Sequence, residues 1–323
     1  MARYARVIGW GKYLPEKVLT NKELELSLDT TDAWIFSRTG IRERRVAAPD
    51  ETASSMAIRA SKKALEVAGL APDSLDLVIT ATCTSELIFP ACASLVQNSI
   101  GAKKAAAFDV NAACSGFIYA LATACQFISA GTYDNILVVG SEVYSRILDW
   151  KDRNTCVLFG DGAGAVVLQG SDKPPGSLGF VLGNDGSKAD SIYTPGPCGL
   201  DKGPYYLTMN GPEVFKFAVN IICLATRDAA AAARLELSDI ELLIPHQANT
   251  RILKAAARFL GMPLRKVFIN VDRYGNTSAA SIPIALCEAV EQGRLKEGDH
   301  LVLVGFGGGL SWAAMVIEWG TGS

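Results

Sequence analysis

Histidine and closely spaced cysteines are scarce in this chain of 323 residues. It contains two histidines, His246 and His300, and its eight cysteines stand singly, with no Cys-x-x-Cys pair. Zinc and iron–sulfur sites need several such ligands at short spacing, and secreted disulfide frameworks need paired cysteines. We therefore expect no bound metal, and we expect reduced thiols in a reducing compartment.

The chain also lacks a strong net charge and a long apolar run. Its formal net charge is −2, which provides no overall attraction to nucleic acid or to an anionic membrane. The longest apolar runs contain polar residues and are shorter than a membrane span, and Met1–Tyr4 leads into a strand pattern rather than a signal peptide. We expect a cytoplasmic protein that binds neither nucleic acid nor membrane.

One cysteine stands at a predicted turn between a strand and a helix. Residues 105–110 have the pattern of a short buried strand, and residues 117–130 are apolar enough to form a helix inside the core. Cys114 lies between them among small residues. The positive end of a helix dipole can lower a thiol pKa into the range of roughly 3.5–7.5, so the position predicts a reactive thiolate. A cysteine buried only for packing fits the same local pattern equally well.

The order of elements recurs along the chain. A helix over 52–69 leads into a strand over 75–81, and a helix over 219–234 leads into a strand over 240–244. The second strand follows the first by 165 residues, and the segments 135–140 and 300–305 are separated by the same offset.

This shared offset predicts an α/β protein with duplicated halves, 1–170 and 177–323. The polar segment 171–176 would link the halves. If the loops of the two halves differ by a few residues, Asn276 and the helix over 278–292 are expected to stand where Cys114 and its helix stand in the first half. Asn21 and Asp32 are expected to cap two short helices near the beginning of the chain.

Further candidate residues lie in the second half. His246 follows a buried strand, where α/β proteins gather functional groups, although a lone histidine there is often structural. Asn276 could cap a helix or donate a hydrogen bond into a site. Gly305–Gly309 could form a hairpin or direct backbone N–H groups at an oxyanion. The glycine-rich segment 159–164 precedes a strand and is interpreted as structural.

A row of basic residues follows His246. Arg251, Lys254 and Arg258 share one face of the predicted helix. Such a row is usually a solvated face, but its closeness to His246 also suits an acidic partner.

Together these motifs resemble the β-ketoacyl-acyl-carrier-protein synthase III family of the thiolase superfamily. The resemblance covers nearly the whole chain, and in this order the motifs are highly specific. It rests on the segments 30–35, 38–41, 109–117, 159–165, 245–249, 275–281 and the glycine run before Trp312.

The resemblance implies the thiolase fold, a five-layer αβαβα sandwich, and a homodimer in which Phe89 reaches the partner's acyl pocket. It implies an acyltransferase that condenses an acyl-CoA starter with malonyl-acyl-carrier protein and so initiates fatty-acid synthesis. Acyl-CoA would be a substrate, and no cofactor is expected.

The resemblance also implies roles for individual residues. Cys114 would be the nucleophile, His246 and Asn276 would complete the triad, and the N–H groups of Cys114 and Gly308 would form the oxyanion hole. The implied CoA contacts are Thr30, Trp34, Arg38, Arg153, Phe215 and Asn249, and the implied carrier-protein contacts are Lys216, Arg251, Lys254 and Arg258. Two departures from the family pattern are Ala313 and Phe259, the first expected to reshape the oxyanion loop and the second to weaken carrier binding.

Several other functions are considered. A thiolase would need a second cysteine near the C-terminal glycine run, and an elongating condensing enzyme would have histidine in place of Asn276. A starter enzyme of a polyketide or quinolone pathway would share the same triad. From other classes, the order of Cys114, His246 and Asn276 also suits a papain-like hydrolase, although the usual aromatic residue after the cysteine is absent. A catalytically silent acyl-binding protein is a further alternative.

Overall fold

A computed structural model describes residues 3–199 and 203–320. In the first part of the chain the elements are β1 (Tyr4–Tyr13), β2 (Lys17–Thr20), α1 (Asn21–Glu25), α2 (Asp32–Thr39), β3 (Glu43–Val46), α3 (Ala53–Ala68), β4 (Leu77–Ala81), α4 (Cys92–Ile100), β5 (Ala106–Val110), α5 (Gly116–Ser129), β6 (Asn135–Val143) and β7 (Asp161–Ser171). The second part contains β8 (Gly176–Asn184), β9 (Ile192–Tyr193), β10 (Thr208–Met209), α6 (Gly211–Ala232), β11 (Ile240–Pro245), α7 (Thr250–Leu260), α8 (Val271–Tyr274), α9 (Ser281–Glu291), β12 (His300–Gly307) and β13 (Ser311–Glu318).

Threonine hydroxyls cap the first two helices. Thr20 and Thr31 accept hydrogen bonds from backbone N–H groups in the first turns of α1 and α2. The prediction that Asn21 and Asp32 are these caps is therefore wrong by one residue at each helix. The Asn21 side chain is buried, where it donates to Asp32 Oδ1 at 2.8 Å and accepts from the Arg44 guanidinium.

Two large sheets and three layers of helices make up the main body of the fold, and two small sheets pair β2 with β3 and β9 with β10. One large sheet has the strand order β1-β7-β6-β4-β5 and the other has the order β11-β12-β13-β8. Helices α5 and α9 pack between the sheets in one apolar cluster, α3 and α4 cover the outer face of the first sheet, and α6 and α7 cover the second. This is the five-layer αβαβα sandwich that the family resemblance implies.

The two halves repeat each other in strand register. In the first sheet Leu77 pairs with Ile136, and in the second Leu242 pairs with Leu301, so both partners move by 165 residues. Both strand pairs are parallel. The 165-residue offset found in the sequence therefore also relates the hydrogen-bonded strand pairs of the two sheets. The assignment of 1–170 and 177–323 as separate halves stays a prediction.

The offset also holds at the turns that precede the central helices. Short 3₁₀ turns span Ala113–Ser115 and Ser278–Ala280, and each runs directly into α5 or α9. Their first residues, Ala113 and Ser278, both have positive φ, 46° and 48°. The expectation that Asn276 stands where Cys114 stands is therefore wrong: the counterpart of Cys114 is Ala279, and that of Asn276 is Asn111. The sequence comparison assumed a difference in loop length that is absent here.

Candidate active site

The 3₁₀ turn before α5 holds Cys114 in the interior. The cysteine is 3% exposed, and its turn is fixed by the Ser311 hydroxyl, which donates to Ala112 O at 3.1 Å. Gly307 lies behind the turn, since a Cβ at that position would be 2.7 Å from the Cys114 nitrogen. Only glycine lets the end of β12 approach so closely.

The environment of this thiol contradicts the pKa expected from the sequence. The pKa of Cys114 is raised to about 12, mainly by burial; the Ser278 hydroxyl partly opposes this rise, and the negative charge of Glu142 adds to it. Loss of water around the sulfur outweighs the field of the helix beginning at Gly116. In this state Cys114 is a thiol at neutral pH.

His246 follows β11 and is held on two sides. Its backbone N–H donates to Val304 O at 2.8 Å, and its ring packs edge-on to Phe306 with centroids 5.1 Å apart. Ring Nδ1 lies 2.6 Å from Ser281 Oγ, which in turn accepts from the Gln247 N–H at 3.4 Å. The Ser281 O–H can donate to Nδ1, and in that arrangement the imidazole proton lies on Nε2.

Burial also determines the charge of the imidazole. It lowers the pKa of His246 to about 3, because water is excluded from the ring. The imidazole is therefore neutral at physiological pH and can donate a hydrogen bond from Nε2.

The turn before α9 fixes the amide of Asn276. Its Oδ1 accepts from the Ser278 N–H at 2.8 Å, and its backbone bonds to Leu158 O and to the Gly160 N–H. With Oδ1 occupied in this way, the Nδ2 hydrogens are the part of the amide left for a ligand. Asn276 therefore supports the turn before α9, and its donation of a hydrogen bond into a site stays a prediction.

One cavity of about 1050 Å³ brings these three residues together. Cys114, His246 and Asn276 line it, so residues far apart in sequence share a single site. Five of the six predicted CoA contacts also line it: Trp34, Arg38, Arg153, Phe215 and Asn249. Thr30 is absent from that lining, and its hydroxyl is buried without a partner among the described residues.

Trp34 is flanked by two guanidinium groups in the cavity. Arg153 lies 5.3 Å and Arg38 lies 6.0 Å from the indole centroid, which is the range of cation–π contact. Arg153 also forms an exposed ion pair with Asp29 at 3.2 Å. Asn249 caps α7 through the Arg251 N–H, so its oxygen already has a structural role.

A second cavity, of about 700 Å³, lies against the same thiol. Cys114 and Gly308 line it, together with Cys83, Tyr119 and Tyr144. Cys114 therefore faces two spaces. Phe89 lines neither cavity; it is 83% exposed, in a loop with the exposed Leu87 and Ile88.

The predicted basic row forms one wall of a neighbouring groove. Lys216, Arg251, Lys254 and Arg258 line this groove together with the exposed Phe259. The guanidinium of Arg258 lies 5.5 Å from the Phe259 ring centroid. We call this surface the basic groove.

Sequence reasoning missed three supporting residues. Ser278 and Ser281 lie in a segment already noted for its resemblance, but they were given no role. Glu142 is a lone acid in the apolar strand β6, and that contrast is the signal that could have identified it.

Over 3–199 and 203–320, no group of three His, Cys, Asp or Glu side chains could hold a metal ion. Within the same ranges, no helix is both long enough and apolar enough to cross a bilayer.

The chain was compared with protein families. The profile described as 3-oxoacyl-[acyl-carrier-protein] synthase III matches residues 108–186, and its C-terminal counterpart matches residues 230–319. The beta-ketoacyl-[acyl-carrier-protein] synthase III of Roseiflexus castenholzii is 52% identical over 330 residues, covering 100% of both chains. The chain belongs to the β-ketoacyl-acyl-carrier-protein synthase III family. This confirms the predicted family and enzyme class, a condensing acyltransferase of fatty-acid synthesis.

Solved structures confirm the thiolase fold. The synthase III of Thermus thermophilus is 49% identical, with a TM-score of 0.94 and coverage of 98% of this chain and 99% of the other. The priming β-ketosynthase of the R1128 polyketide pathway is 38% identical, with a TM-score of 0.94 and coverage of 98% and 97%.

The two departures from the synthase III pattern lie in different surroundings. Ala313 is fully buried between the sheets and lines neither cavity. The expectation that it reshapes the oxyanion loop therefore has no support in its position. Phe259 is exposed at the edge of the basic groove, where it offers an apolar contact in place of a charge.

Proposed function

We propose that this chain transfers an acyl group from acyl-CoA to Cys114 and condenses it with malonyl-acyl-carrier protein. One observation carries the proposal: Cys114 lies between two cavities, and one of them also contains His246 and Asn276. The larger cavity suits the thioester arm of the substrate. The second cavity would receive the acyl chain.

Acyl transfer requires a nucleophile and donors for the developing oxyanion. The Cys114 thiolate would attack the acyl-CoA thioester and form an acyl-enzyme, which divides the condensation into two easier steps. The N–H groups of Cys114 and Gly308 would hold the oxyanion, and loss of one such donor typically reduces the rate by about 10²–10³.

Condensation requires donors for an enolate. When malonyl-acyl-carrier protein loses CO₂, its thioester oxygen gains negative charge. His246 Nε2 and Asn276 Nδ2 would stabilise that oxygen, and a neutral imidazole with its proton on Nε2 suits the task. The carbanion would then attack the acyl-enzyme and release Cys114.

The CoA portion would occupy the outer part of the larger cavity. Trp34 and Arg153 would stack around the adenine, which requires Arg153 to release Asp29. Arg38, Phe215 and Asn249 would contact the remainder. Thr30 would contribute only after local rearrangement, because it does not line the cavity.

Protein partners would dock on two surfaces. The basic groove would bind the acidic carrier protein, because complementary charge steers association. A second copy of the chain would accept Phe89 into its acyl pocket and make the enzyme a homodimer. All eight cysteines are free thiols, which fits a cytoplasmic enzyme.

A panel of acyl-CoAs would test the proposal. Intact-protein and peptide mass spectrometry should find one acyl group on Cys114 and none on a Cys114→Ala variant. Cys198→Ser, which removes an exposed thiol, should leave the adduct unchanged. No adduct with any short or medium, straight or branched acyl-CoA, or hydrolysis without condensation, would contradict it.

The similarity to the R1128 enzyme supports a second candidate, the priming step of a polyketide pathway. The chemistry at Cys114 would be the same, and the carrier protein would differ. Condensation rates with fatty-acid and polyketide carrier proteins distinguish the two functions.

A further inference from the structure

A buried carboxylate to which the proposed reaction has so far given no role lies close to Cys114. Glu142, near the end of β6, is fully buried. Its oxygens accept hydrogen bonds from the hydroxyls of Thr82, Thr84 and Ser278 and from the N–H and S–H groups of Cys83. These distances range from 2.6 Å to 3.3 Å. Several donors around a buried acid allow it to exist as a carboxylate.

Ser278 connects this carboxylate to the nucleophile. Its hydroxyl donates to Glu142 Oε1 at 3.2 Å, and it is close enough to the Cys114 sulfur to lower the pKa of that thiol. The contact depends on the left-handed backbone of Ser278, which has a φ of 48°. A strained non-glycine residue at this point is an unusual feature that frequently accompanies function.

The pKa values of the surrounding groups determine which of them can accept the proton of the Cys114 thiol. Burial raises the pKa of Cys114, and it lowers the pKa of His246, so an imidazolium would be costly here. Burial raises the pKa of Glu142, which makes it a better proton acceptor. The other titratable groups against Glu142 are Cys83 and Tyr144, whose pKa values burial also raises, so both stay neutral.

We propose that Glu142, through the Ser278 hydroxyl, accepts the Cys114 proton and keeps it while the acyl-enzyme exists. The S–H bond of Cys114 breaks, its proton passes to Ser278 Oγ, and the Ser278 hydroxyl proton passes to Glu142. The electron pair stays on sulfur and forms the new bond to the acyl carbon. The site holds one negative charge before and after the transfer, so no additional charge is buried.

The later proton transfers of the reaction need no other acid from the protein. CoA leaves as a thiolate, which at neutral pH takes a proton from water because ordinary thiols have a pKa near 8.5. When condensation later expels the Cys114 thiolate, Glu142 returns its proton through Ser278. Between these events the acyl-enzyme and Glu142 are both neutral, so the anionic malonyl group enters a site without a buried negative charge. This inference rests on the proposed acylation of Cys114.

The proton balance gives a direct measurement. If Glu142 keeps the thiol proton, each acyl-enzyme formed at pH 7 takes up one proton from solution, because CoA is released in its protonated form. If the thiol proton instead leaves with CoA or goes to water, the net uptake is zero. A pH indicator in weak buffer measures this ratio, and mass spectrometry counts acyl groups on Cys114 in the same sample.

Variants separate this role from a structural one. Ser278→Gly removes the hydroxyl but suits the positive φ, and Glu142→Gln removes the acceptor; both should form acyl-enzyme more slowly and without proton uptake. Asp161→Asn removes another fully buried carboxylate, which binds Ser145 and the Ala47 N–H, and should retain the uptake of one proton.

The outcomes are distinct. One proton per acyl group in the natural chain and none in either relay variant supports the inference. Acylation of Cys114 without proton uptake, or uptake that persists in Glu142→Gln, overturns it and leaves the proposed function intact. Absence of acylation at Cys114 overturns both.

Discussion

The hydroxyl of Ser281 lies 2.6 Å from Nδ1 of His246, and the same oxygen accepts from the backbone of Gln247. When the Ser281 hydroxyl donates to Nδ1, the imidazole carries its proton on Nε2. If His246 donates to the enolate, its function depends on a residue that never touches substrate.

Replacing Ser281 by alanine should slow malonyl decarboxylation and leave Cys114 acylation nearly unchanged. Without the hydroxyl the imidazole can rotate or carry its proton on Nδ1, and loss of such a supporting partner typically costs roughly 10–100-fold. Separate rate measurements for the two half-reactions test this. Ser281→Thr should recover part of the rate; an equal loss in both half-reactions would indicate a structural role instead.

Acid should destabilise the protein partly through His246. Its pKa falls from an unfolded value of 6.5 to about 3 in the folded chain, so the unfolded state binds the extra proton in between. This contribution to stability is present above pH 6.5 and declines as the pH falls toward 3. Between pH 7 and pH 5 the loss is on the order of 2 kcal/mol. Urea unfolding of His246→Gln at both pH values should show a correspondingly smaller decrease, and an identical decrease would disprove the assignment.

Gly307→Ala should impair acylation and stability together. The added methyl group would lie 2.7 Å from the Cys114 nitrogen and 2.9 Å from its Cβ, so the turn must move. Overpacking of this kind costs about 1–3 kcal/mol. Thermal unfolding and single-turnover acylation measure the two effects. Gly186→Ala, where the nearest atom would be 3.8 Å away, is the matched control and should change neither.

Reversing a charge in the basic groove should affect only the carrier-dependent step. Lys254→Glu is expected to raise the KM for malonyl-acyl-carrier protein by about tenfold, with the effect shrinking as salt increases. Acylation by acyl-CoA should stay constant. Lys62→Glu, on the exposed face of α3, carries the same charge change far from the groove and serves as the control. Equal effects of the two variants would exclude docking at the groove.

The apolar groove edge offers a complementary test. Phe259→Lys restores a positive charge and removes an exposed ring. If charge alone determines docking, the variant should bind the carrier protein more tightly. Weaker binding in a titration would show instead that the ring contacts the partner.

Apolar periodicity and the 165-residue offset predict an α/β protein with a repeated half, because both are properties of the chain itself. The five layers and the gathering of Cys114, His246 and Asn276 are implied by the resemblance to the synthase III family. The sequence does not predict the thiol pKa. That quantity depends on burial of the sulfur, on Ser278 and on the charge of Glu142, which come together only when distant segments meet. The role of Ser281 was missed for the same reason, since its partner His246 lies 35 positions away.

The shared register has a consequence for the origin of the site. The counterpart of Cys114 is Ala279, and the counterpart of Glu142 is Gly307. In an ancestor made of two identical halves, both turns would have carried the same side chain, and so would both strands. Such an ancestor could not have had a thiol at only one turn and a carboxylate on only one strand. A single chain with two unlike halves is free of that constraint, so one turn can present the Cys114 thiol while its twin presents the Ser278 hydroxyl that supports it.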